Sequence, residues 1–283
     1  MPDRKEIRLQ IGTNIIQTGA EYDWICASVQ GDDYMDVDVA LEDLAAGDGS
    51  YEKNVRYEKR SIDIHIMSKL YSAAQIDATE LLLKSYLDSK AAGVLTIYKN
   101  GVERTGYGRI EEVKKPRGFK WNERPYVIIS FVMPNPWFLG EQITNPFYSS
   151  SPLFSFPLAF PVGIGVSSGF VISGNDVTFD VAGHDAPGFV LTLTASDAVV
   201  NPKVMDSDGN YVMIKESMVS GDVAVISTVS RDKYTTLNGE ICRYDKLSDF
   251  FALKIGSNTL TVSADSGIGN LTKSLAWRER YRG

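Results

Sequence analysis

Two histidines and two cysteines in 283 residues, with no Cys-x-x-Cys spacing, leave almost no material for a metal centre or a disulfide frame. Cys26 and Cys242 lie far apart with no His beside either, so both are expected to be buried thiols in a reducing cytosol. Long apolar runs are missing too: the longest candidate, 153–166, is cut by Pro157 and Pro161 and falls short of the roughly 18 residues that a membrane-spanning helix needs. No membrane insertion is expected. No apolar core follows the opening Met-Pro-Asp-Arg-Lys-Glu, so a secretory leader is not expected either, and synthesis in the cytoplasm follows. Basic charge is in deficit, 29 Lys and Arg against 36 Asp and Glu for a net charge of −7, which disfavours a dedicated DNA or RNA binder.

Catalytic patterns are equally thin. His65 lies on the Ser61, Asp63, His65 face of a strand and His184 in a Gly-His-Asp turn, with no nucleophile elbow near either. Asp206-x-Asp208-Gly209-Asn210 opens like a calcium loop, but the sixth and twelfth positions hold Tyr211 and Ser217 where that loop needs Gly and Glu. Gly163-x-Gly165 lacks the third glycine and the helix of a dinucleotide site. Glu111 and Glu112 are adjacent on a strand pattern, which sends them to opposite faces and rules them out as a glycosidase pair. The chain is expected not to be an enzyme, and to need no cofactor and no metal.

What is present is mostly strand. Tyr34 to Val39 alternates strictly, with Met35, Val37 and Val39 on one face, and Arg60 to Ile66 repeats the pattern with Ile62, Ile64 and Ile66. One helix interrupts, at about 73–91: Ser72 and Gln75 make a capping box, Ala74, Ala78, Leu81, Leu82 and Tyr86 follow at helical spacing, and Gly93 stands where a C-cap is expected. Asn100-Gly101 signals a hairpin between 94–98 and 107–113, with a further strand at 126–132. Six of the eleven prolines fall between 134 and 161, and Glu141 is the sole charge from Pro125 to Asn175. The aromatic-rich connector 134–161 therefore divides domain 1–140 from domain 141–283. The second half reads as all β, with strands at 170–173, 177–181, 189–194, 203–206, 211–215, 223–229, 250–255 and 258–262, and argues a jelly-roll-type sandwich.

Charge is unevenly placed. Residues 9–52 carry ten acids and no Lys or Arg, whereas 99–124 carry eight bases and four acids. Two solvated faces would explain this, and so would docking between identical subunits. The polar, Gly-rich stretch from about Leu41 to Tyr57, holding Tyr51 and Tyr57, is expected to be an arm lying on a neighbouring subunit.

Gly47-Asp-Gly49-Ser-Tyr51, Arg56, Arg60-Ser-Ile-Asp-Ile, a helix, Leu95-Thr-Ile-Tyr98-Lys-Asn-Gly101 and Gly108-Arg-Ile together resemble the N-terminal half of the distal tail proteins of long-tailed, non-contractile bacteriophages. Ile129 to Trp137 is similar to the strand that closes that domain, with Asn135 in place of an acid. Leu253 to Asn258 and the closing Trp277 to Gly283 match at the far end. The resemblance implies a mainly β protein, with an N-terminal β-barrel-like ring-forming domain bearing one α-helix and a C-terminal galectin-like sandwich. It implies a ring, usually a hexamer, in the virion tail tip. Such a ring joins the tail tube protein to the tail-tip hub protein, serves as a platform for receptor-binding proteins, and surrounds a channel through which DNA only passes. Tyr51, Arg56 and Tyr57 are the expected subunit contacts, and Asp32, Asp33, Asp36 and Asp38 the expected channel-facing acids. The alternative is a carbohydrate-binding module that aids attachment to the host cell surface.

Overall fold

Alternation with period two buries one face of most strands, and in the core of the first half that face is built from Ile, Leu, Val and Phe. The computed structural model describes residues 6–44, 48–69, 81, 83–85, 87, 90–99, 101–114, 126–152 and 169–283. By packing the chain divides into two units, Met1–Glu141 with Arg280–Gly283, and Gln142–Glu279.

The first unit holds β1 (Glu6–Ile11), β2 (Asn14–Gln17), β3 (Trp24–Gln30), β4 (Val37–Asp43), β5 (Ser50–Tyr57), β6 (Arg60–Ser68), β7 (Gly93–Lys99), β8 (Val102–Lys114), β9 (Tyr126–Met133) and the start of β10 (Phe138–Pro146). Antiparallel neighbours run β2-β1-β7-β8-β9-β6-β3, and a bridge between Thr18 and Trp24 brings the two ends together as a barrel. β8 turns the corner: its first half pairs with β7 and its second with β9. The register shifts between Ile110 and Glu112, so Glu111 is the extra residue of a bulge. The strict alternation expected for Glu111 and Glu112 is interrupted there, and both side chains are exposed.

Ile62, Ile64 and Ile66 of β6 face Phe131 and Ile129 of β9 in a core with Ile7, Leu9, Leu95, Ile97 and Phe138. Each such side chain contributes about 1.5–3 kcal/mol through burial. Most of the expected helix lies outside the described residues. Leu81 and 83–85 are helical, Leu83 and Leu87 pack on the core, and Leu81 is 71% exposed. The apolar face is therefore turned from the one expected. Gly93 is also not a helix cap. It opens β7, where a Cβ would meet Ile11 Cδ1 at 2.7 Å and Phe131 Cε2 at 2.8 Å, so close approach explains the glycine.

The second unit takes the end of β10 and adds β11 (Tyr148–Pro152), β12 (Gly169–Ser173), β13 (Asp176–Val181), β14 (Phe189–Ala195), β15 (Val199–Val200), β16 (Lys203–Asp206), β17 (Tyr211–Met213), β18 (Ser217–Met218), β19 (Val223–Val229), β20 (Asp232–Leu237), β21 (Glu240–Ile241), β22 (Gly256–Ser263) and β23 (Leu271–Tyr281). One sheet runs β23-β14-β19-β20-β21 and the other β13-β22-β16-β17. Phe189, Leu191, Leu193, Ile226 and Leu275 from the first meet Phe179, Val204, Val212 and Leu260 from the second. That is a β-sandwich.

The run 250–255 forms no strand. Phe251 and Leu253 are buried from irregular backbone, and the Leu253 amide donates to the Pro187 carbonyl. Inside the proline-rich stretch, 138–146 is regular strand. In β23, Lys273 occupies the core row between Leu271 and Leu275 and is 1% exposed. Its Nζ donates to the Gly174 carbonyl at 3.1 Å and Asn175 Oδ1 at 3.2 Å, while burial pushes its pKa down. Neither cysteine is in a disulfide; Cys26 is buried and Cys242 partly so.

Candidate functional site

β4 and β5 pair with each other and with no other described strand, so this hairpin stands out from the barrel as an arm. A two-stranded ribbon in water has marginal stability by itself. Opposed residues share a face. Val37 with Tyr57 and Val39 with Val55 place four apolar side chains on one side, and Leu41 follows two positions beyond Val39. All five are exposed, Leu41 at 63%. The shared face expected for Val37 and Val39 is therefore real, and it meets solvent because no second layer among the described residues covers it.

The opposite face is polar and already paired. Arg56 Nη2 lies 2.8 Å from Asp38 Oδ2, and Lys53 Nζ lies 3.0 Å from Glu42 Oε2. The Tyr51 hydroxyl, then Lys53, holds the Glu42 carboxyl below its ordinary range, and Glu42 in turn raises the Tyr51 hydroxyl. The structure therefore does not bring the three expected contact residues together. Tyr51 and Arg56 sit on the charged face, and Tyr57 sits on the apolar one. At the arm's root the Tyr57 ring meets Trp137 edge-on at 5.3 Å, and the Glu58 amide donates to the Asp36 carbonyl at 3.0 Å. Asn135, where the family resemblance led to an acid, accepts from the Trp137 amide at 3.5 Å.

The four acids fare differently. Asp32 is 2% exposed, and its charge is the strongest of three carboxylates, with Asp33 and Asp36, that act on the Arg60 guanidinium. Burial is the larger influence there and lowers the Arg60 pKa. Asp33 is bound to Lys99 at 2.5 Å, so the acidic and basic stretches meet within one chain at this point. Asp36 is exposed and Asp38 half-buried beside Arg56. In the second unit Asp206 closes a tight turn: its Oδ1 accepts from the Asp208 and Asn210 amides at 2.9 Å each. Among the described residues no three of His, Cys, Asp or Glu converge as a metal-ligand set.

Sequence reasoning missed Val55 and Leu41 as apolar contacts and Trp137 as the arm's anchor. The alternation of β4 was the available signal for Leu41.

Residues 182–281 match the family model described as the siphovirus-type tail component, C-terminal domain. The whole chain is similar to the crystal structure of SPP1 Dit, described as a paradigm of hub adsorption apparatus in phages infecting Gram-positive hosts: TM-score 0.67, 12% identity, 97% of this chain and 98% of that one. The fold is that of a distal tail protein. The Dit-like chain is also similar to a chain of the phage p2 baseplate in its activated conformation with calcium, at TM-score 0.51 and 10% identity over 98% of this chain and 99% of that one. No curated protein matches the sequence at a significant level.

Proposed function

We propose that this Dit-like chain is a structural component of a long-tailed phage tail tip, acting as a self-assembling ring without catalysis. The observation that carries the reading is the arm: five exposed apolar side chains on one face and self-paired charges on the other describe a surface built to be covered by protein. The occupant is a second copy of the chain. The arm's apolar face needs a cover that every subunit can offer its neighbour, and a head-to-side contact repeated by rotation closes into a ring. The tail family matched by residues 182–281 supports that setting, as does the resemblance to a hub-forming protein.

In this reading the first unit forms the ring, six-fold by analogy with the family, between tail tube and tail-tip hub. The second unit is the outward platform for host-adhesion proteins. Acids lining the channel would keep passing DNA from adhering. Of the four expected acids, Asp33, Asp36 and Asp38 have carboxylates that reach solvent, so that part of the proposal rests on those three.

Size exclusion with light scattering and negative-stain microscopy tests the reading. The wild-type chain is expected as a ring with a central hole, and Leu41→Lys as a folded 31.2 kDa monomer. A wild-type monomer, or a ring unaffected by Leu41→Lys, overturns the arm as the contact. Binding of the chain to a glycan array would favour the carbohydrate-binding alternative.

A further inference from the structure

The end of β23, Arg280 and Tyr281, and the two residues after it belong to the first unit, and each makes a separate contact there. The Arg280 guanidinium lies over the Trp137 ring at 4.7 Å. The Arg104 guanidinium lies over the Tyr281 ring at 4.9 Å. The Arg282 carbonyl accepts from Arg60 Nη2, across 222 positions of sequence. Gly283 packs so closely on the Asp32 and Asp33 carbonyls that a Cβ would come within 2.4 Å of each.

The side chains that receive this segment are themselves held. Arg60 is 3% exposed and lies over Phe138 at 5.0 Å, and its Nε and Nη1 have no hydrogen-bond partner among the described residues. An arginine buried with two unpaired nitrogens is costly unless what it does hold matters. What it holds is the Arg282 carbonyl and the charge of Asp32. Trp137 is 6% exposed and is gripped on two sides, by Arg280 over its face and by the edge of Tyr57. Tyr57 is the last residue of β5, paired with Val37 at the root of the arm.

We propose that residues 280–283 are a strap that sets the root of the arm through the Arg280–Trp137–Tyr57 stack, making the arm competent to dock only in a chain whose second unit has been made. This rests on the reading of the arm as the subunit contact, and it adds how that contact is controlled. A two-stranded ribbon with a loose root samples many directions, and each must be frozen out before a neighbour can be engaged; a seated root removes that cost in advance. The strap lies beyond the whole second unit in sequence. A partly synthesised chain therefore carries the arm's apolar face without the stack that orders it. The fold in this way delays self-association until the first unit is completed from the far end of the sequence.

Hydrogen exchange read by mass spectrometry on the full-length chain tests the strap separately from the ring. In the Leu41→Lys background, where docking is already removed, Arg280→Ala is expected to raise exchange in peptides covering 50–58 by roughly three- to tenfold, the range set by loss of one stacked cation. Peptides covering 189–195 and 223–229 are expected to stay unchanged, which shows that the variant is folded. Arg280→Lys keeps the charge without the planar stack and is expected to fall between. In the otherwise wild-type chain, Arg280→Ala is expected to shift the light-scattering mass from ring toward monomer. Unchanged exchange at 50–58 overturns the strap whatever the mass; raised exchange with an intact ring overturns its control of assembly. A wild-type chain that is itself monomeric fails the ring reading, and the exchange result still decides the strap.

Discussion

Asp245 sits at 9% exposure between two donors, Lys215 Nζ at 2.8 Å and the Tyr211 hydroxyl at 2.7 Å. Lys215 first, then Tyr211, holds its carboxyl below the ordinary carboxylate range. A carboxyl lowered by folding stabilises the native state above its unfolded pKa, and that contribution is lost as pH falls through the lowered native value. The melting temperature of Asp245→Asn is therefore expected to lie below wild type at pH 7, with the gap closing below about pH 4. Melts across that range check it, and a gap independent of pH would assign the effect to packing. The other polar cores follow different logic. Lys273 and Arg60 stand in mainly apolar rows, each holding a backbone carbonyl from a distant segment. Charges in such places are the reason both were invisible as core residues: composition and periodicity assign them to solvent.

Among elements, legibility followed how local the pairing is. The hairpin of β7 and β8 was readable from Asn100-Gly101, and Gly101 does adopt a positive φ of 76°. β6 was readable because Ile62, Ile64 and Ile66 alternate without interruption, and all three are fully buried. β23 was not read as a strand, because Lys273 breaks its apolar row and Arg278, Glu279 and Arg280 crowd its end. The run 250–255 misled in the other direction: its apolar residues fill the core without joining a ladder. Entry into β23 depends on Gly267, which has φ 78° and where a Cβ would meet the Ala198 carbonyl at 2.1 Å. Gly267→Ala is expected to destabilise the chain by about 1–3 kcal/mol through strain and overpacking. Gly269→Ala, with nothing within 4 Å of its Cβ, is the control in the same urea titration. Equal effects at the two positions would refute the close-approach account.

For the whole molecule the balance between apolar and charged contacts decides how the proposed ring would respond to its surroundings. Four of the arm's charges are satisfied in pairs, Asp38 with Arg56 and Glu42 with Lys53, and Asp33 is paired with Lys99. Exposed pairs of this kind add little to stability and are screened by salt, whereas burial of the apolar face is not. The mass of the proposed ring is thus expected to persist in about 0.5 M salt, well past the screening of surface charge. Dissociation there, followed by light scattering, would move the contact to the acidic and basic stretches. The sequence by itself determined that the chain is mainly β, that Val37 and Val39 share a face as Ile62 and Ile64 do, and that residues 182–281 match a siphovirus-type tail component model. Only the tertiary structure decided that one of those faces is core and the other solvent, and that residues 280–283 complete the first unit. The reason is physical: a period of two settles which side chains point together, but what covers them depends on pairings across hundreds of residues that no local pattern contains.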